Sequence, residues 1–76
     1  MRIINLDETG IKLLSNKKHQ IYISKDDLKD FVKGKYTILN DILTFNELQL
    51  PLSKEEIRDF PITLEYLKTE ILKGNI

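Results

Sequence analysis

Residues 20–31 read QIYISKDDLKDF and residues 49–60 read QLPLSKEEIRDF, an ungapped match at an offset of 29 residues. Gln, Ser, Lys, Asp and Phe are identical at five of the twelve positions, six more keep their chemical type, and only Tyr22 over Pro51 does not. Each segment alternates apolar residues and then changes period at a Ser followed by acids. That is a strand running into a capped helix, because the Ser hydroxyl accepts a free amide of the first turn and the carboxylates sit at the positive end of the helix dipole. Any such junction selects part of this pattern. It does not select the same Gln, the same Lys after the Ser or the same Asp-Phe pair, so tandem duplication is the favoured reading.

Outward from the match, each copy is preceded by two further short strands. In the first copy these are 2–6 and 11–14, joined by Asp7-Glu8-Thr9-Gly10, with 20–24 as the third strand. In the second copy they are 36–39 and 42–45, with 48–52 as the third, and Asn40-Asp41 and Asn46-Glu47 supply two-residue turns. Pro51 cannot donate to a ladder, which places the last strand at an edge or at a bulge. The first helix spans 25–33 and stops at Gly34. The second opens after Ser53, and Ile57, Phe60, Leu64, Leu67 and Ile71 carry one apolar stripe through Pro61. Proline removes a helix hydrogen bond, so a kink or a break is expected there, with the later part running to about residue 73 before Gly74.

The resulting expectation is one α+β domain over residues 1–76. Two tandem β-β-β-α units, 1–35 and 36–60, are related by pseudo-twofold symmetry and followed by an appended C-terminal helix at 61–74. Six short, mainly antiparallel strands form one sheet or a small barrel with two helices, each unit covering the apolar face of the other.

Composition narrows function without naming it. A 76-residue chain has a marginal core, and with no Cys and a single His it has neither disulfides nor the usual zinc ligand set to reinforce it. No metal and no cofactor are expected, and self-association is the remaining way to strengthen such a core. No apolar run approaches the ~20 residues of a membrane span, and a cytoplasmic location is expected. Residues 1–35 hold eight Lys and Arg against five Asp and Glu, and residues 36–76 hold four against seven, so the halves carry about +3 and −3 while the chain is neutral. That balance argues against a general nucleic-acid binder.

The paired acids Asp26, Asp27, Glu55 and Glu56 fit helix starts better than catalysis, since adjacent helical side chains diverge. Ser24 and Ser53 read as N-caps, and His19, beside two lysines, as a surface residue. Lys17, Lys18 and His19, with Lys33 and Lys35 from the end of the first helix, form the one candidate phosphate or partner contact. Ile62, Tyr66 and Leu72 lie off the main stripe of the last helix and form a candidate dimer face.

The stretch LQLPLSKEEIRDF, running from a strand through a Pro into a short helix, resembles the swapped-hairpin barrels of bacterial transition-state regulators. The resemblance covers about a dozen residues without those proteins' Arg-rich surface, and no site residue is carried over from it. The expected function is that of a non-enzymatic bacterial or phage-type accessory protein that binds a protein partner and forms a homodimer. The alternative is a nucleic-acid-binding regulator using the lysine loops.

Overall fold

The computed structural model describes residues 1–74. The elements run β1 (Arg2–Asp7), β2 (Gly10–Leu14), β3 (Gln20–Ser24), α1 (Lys25–Val32), β4 (Thr37–Leu39), β5 (Ile42–Phe45), β6 (Leu48–Pro51) and α2 (Lys54–Leu72). The protein is α+β, with two helices and two antiparallel three-stranded sheets in the orders β1-β2-β3 and β4-β5-β6.

Local chemistry sets the boundaries. Ser24 accepts the Asp27 amide at the start of α1, while Ser53 and Glu56 form a reciprocal capping box at the start of α2. Gly34 and Gly74 take left-handed φ values of 98° and 78° just past the two helix ends. Asn40 and Asp41 both have positive φ, as a type I′ hairpin requires, and Asn46 alone does so in the next turn. Pro51 closes β6 at the edge of its sheet, as expected for a residue without an N–H.

Two expectations need correction. The six strands do not merge into one sheet or a barrel. β3 and β6 pack against each other but share no ladder, and β6 ends on Pro51, which has no N–H to donate to one. Of the kink or break expected at Pro61, the break does not occur: α2 is continuous over 19 residues with the proline inside it. Pro61 itself is exposed. The apolar stripe packs on both sides of it along the helix: Phe60 and Leu67 are buried, and Ile57, Leu64 and Ile71 pack against the core.

Proline inside a helix is about 3 kcal/mol less favourable than Ala, partly offset by the ~0.4–1 kcal/mol it gains by restricting the unfolded chain. Pro61→Ala is therefore expected to raise stability by about 2 kcal/mol, measured as a higher urea midpoint at unchanged slope. A lower midpoint would mean that the ring makes a packing contact that Ala cannot replace.

The core draws on both halves. Ile11, Leu13, Ile21 and Ile23 come from the first sheet, Leu43, Phe45 and Leu50 from the second, and Leu28, Phe31, Phe60 and Leu67 from the helices. Phe31 and Phe60, the matched residues of the two segments, meet edge to face with centroids 5.9 Å apart. Tyr36 packs on Phe31 at 5.3 Å and on Phe60 at 5.1 Å, and Phe45 packs on Phe31 at 5.2 Å. Each such pair adds ~0.5–1.5 kcal/mol beyond area burial. Burial also pushes the Tyr36 phenol above its ordinary value.

Candidate functional site

α2 turns about 100° per residue, so Ile62 and Tyr66 lie within about 40° of each other, and Ile71 of the core stripe lies about 180° from Ile62. Solvent exposure agrees, since Ile62 is 70% and Tyr66 48% exposed. The Tyr66 hydroxyl is satisfied by Glu70 one turn on, and this hydrogen bond, with the carboxylate's charge, raises the phenol above its ordinary value. Its ring remains available for an apolar contact.

Leu72, 88% exposed, does not join that pair, because it sits about 80° from Ile62 and 120° from Tyr66 around the helix. It instead borders a cleft of about 420 Å³ between the C-terminal ends of α1 and α2, lined by Val32, Lys33, Lys68, Ile71 and Leu72. The three residues of the candidate dimer face thus occupy two surfaces.

The basic residues are also divided. Lys17, Lys18 and His19 are exposed on the loop between β2 and β3. The sheet row nearest that loop contains Arg2, Leu14 and Gln20, so Arg2 belongs beside this loop, a neighbour that chain distance concealed. Lys33 lines the cleft beside Leu72, whereas Lys35 pairs with Asp30 at 3.7 Å and lines a different cleft with Tyr36, Thr37, Thr44 and Asn46.

The most constrained polar group is Glu56, which the sequence presents only as a helix-start acid. Its side chain is 2% exposed, and its Oε2 lies 2.8 Å from the Met1 ammonium. The Asn16 amide donates to both carboxylate oxygens at 3.1 Å, and the Ser53 amide donates to Oε1 at 2.9 Å. Burial alone would raise this carboxyl. The hydrogen bonds from Met1, Ser53 and Asn16, with the ammonium charge, outweigh that effect and hold it below the usual carboxylate range. Asn16 also donates its side-chain amide to Ser53 Oγ at 3.1 Å. Glu56 thereby ties together the N-terminus, the β2–β3 loop and the start of α2. Its matched residue in the first segment, Asp27, is exposed.

Among the described residues no group of three or more His, Asp or Glu is placed to hold a metal ion. No described helix is long and apolar enough to cross a membrane. Comparison with known proteins finds no matching family model, curated protein or solved structure.

Proposed function

We propose that this chain is a non-enzymatic cytoplasmic binding module that works through the outer face of α2, with self-association as its first use. The observation that carries this reading is the pair Ile62 and Tyr66, set one turn apart on the side of α2 directly opposite the core and exposed to water. Among the described residues Ile4, Tyr22, Leu39, Ile62, Tyr66 and Leu72 are the large apolar side chains left exposed, and of these Ile62 and Tyr66 stand one turn apart on one helix face, the spacing a helix-borne contact uses. The polar clusters serve structure: Ser24 and Ser53 cap the helices, Asp26, Asp27 and Glu55 lie at the positive ends of the helix dipoles, and Glu56 completes a capping box and clamps the Met1 ammonium.

The module is built, in this reading, by duplication of a β-β-β-α unit about a pseudo-twofold axis. One observation supports it. The halves meet through β3 against β6 and α1 against α2, which are matched elements in both cases, as elements flanking a two-fold axis must be.

Sedimentation equilibrium from micromolar to millimolar concentration tests the function. The wild-type chain is expected to dimerise weakly. Tyr66→Glu and Ile62→Glu are each expected to raise the dissociation constant tenfold or more while changing stability by no more than ~0.5 kcal/mol, as exposed positions do. A strict monomer throughout that range would overturn the reading.

A further inference from the structure

The outer face of α2 has an internal symmetry. Ile62 and Tyr66 lie two residues either side of position 64, Asp59 and Thr69 five residues either side, and Glu55 and Lys73 nine residues either side. Glu55, Asp59, Ile62, Tyr66, Thr69 and Lys73 are all exposed. Glu55 and Lys73 are 18 residues apart, about five full turns, which puts them at the same azimuth about 27 Å apart along the axis. The helix dipole favours an acid near the first turn and a base near the last, but it does not fix the side of the helix on which each falls. Here both fall in line with the apolar pair.

We infer that the partner of this face is a second copy of the same helix, docked antiparallel about a two-fold axis level with residue 64; this rests on the self-association reading above. Turning α2 end for end about that level brings Ile62 onto Tyr66 of the second copy and Glu55 opposite Lys73, with Asp59 and Thr69 at one level on opposite flanks of the seam. Every contact occurs twice, as an isologous interface requires. Apolar contact fills the centre, opposite charges face each other at both ends, and the two helix dipoles run antiparallel. A parallel pairing would instead set Glu55 against Glu55 and Lys73 against Lys73. With only two large apolar side chains from each copy, the interface falls below the ~1,200 Å² of a standard one, and the dimer is transient.

Charge reversal distinguishes the arrangements. Glu55→Lys and Lys73→Glu are each expected to raise the dissociation constant roughly tenfold, since each turns two attractive contacts into repulsive ones. The double variant Glu55→Lys/Lys73→Glu restores wild-type affinity, and an equimolar mixture of the two single variants dimerises as the wild type does. Circular dichroism melting confirms that each variant folds. A wild-type dimer whose affinity the single reversals leave unchanged, or which the double variant fails to restore, overturns the antiparallel register while leaving self-association intact. A wild-type chain that stays monomeric at millimolar concentration overturns both.

Discussion

Replacing Glu56 by Ala is expected to lower stability by about 3–5 kcal/mol, the usual cost of removing one member of a buried, hydrogen-bonded ion pair. The variant loses the acceptor for the Met1 ammonium and for the amides of Asn16 and Ser53, all of which lie within 3.1 Å of the carboxylate. Each unmet amide is itself costly when buried. A domain of this size has on the order of 4–11 kcal/mol in total, so the loss removes a large share of it. Urea titration measures it directly. Asp27→Ala provides the internal control, because the matched carboxylate is exposed, and a change within ~0.5 kcal/mol is expected there. Equal costs at the two positions would mean that Glu56 acts only through the helix dipole.

The pH dependence follows from the direction of the shift. The folded Glu56 carboxyl titrates below its unfolded counterpart, so the stability it supplies is complete above the unfolded value, about 4.3, and is lost as pH falls through the lower folded value. The difference in stability between wild type and Glu56→Gln is therefore largest near neutrality and shrinks on acidification. Asp7 shifts in the same direction through hydrogen bonds from the Thr9 side chain and the Thr9 and Gly10 amides, and adds to the same acid limb.

Gly10→Ala is the second large effect, about 3–5 kcal/mol. Gly10 is buried, pairs across the ladder with Ser24 and holds φ at 154°. A Cβ there would overlap the Ile23 carbonyl oxygen and stand 2.9 Å from both the Ser24 Cα and the Tyr22 hydroxyl. Two of those obstacles are backbone in the neighbouring strand, so relief requires moving β3. Overpacking and backbone strain each cost ~1–3 kcal/mol. The Tyr22 hydroxyl also donates to the Thr9 carbonyl at 2.9 Å, and that same carbonyl accepts the Lys25 amide, so displacement at Gly10 spreads to the entry of α1. At Gly34 a Cβ meets nothing within 4 Å, and Gly34→Ala is expected to cost only ~1 kcal/mol, for its positive φ. Equal midpoints for the two variants in urea would contradict the steric account.

Much of this fold is legible locally because its cues act over a few residues. The Ser caps, the Asn turns, Gly34, Gly74 and the two alternating periods fix eight elements close to their observed limits. The break expected at Pro61 fails for the same reason, since a local rule prices the missing hydrogen bond and not the core packing of Phe60, Leu64 and Leu67 that holds the helix across it. The last helix is similar. Its composition marks Ile62, Tyr66 and Leu72 as one apolar group; the turn of 100° per residue already sets Leu72 apart, and the tertiary structure adds the cleft with Val32 and Lys33 that Leu72 borders.

The amino-acid order therefore determined the elements, their caps and turns, and the match between residues 20–31 and 49–60, because these depend on side chains within about one turn of each other. The tertiary structure alone decided that the strands divide into two sheets, that α2 continues through Pro61, and that Glu56 rather than Asp27 is buried on the Met1 ammonium. Each of those outcomes depends on groups far apart in the chain: Asn16 and Glu56 are separated by 40 residues. Whether a carboxylate at a helix start faces water or an ammonium is set by what the rest of the fold places beside it.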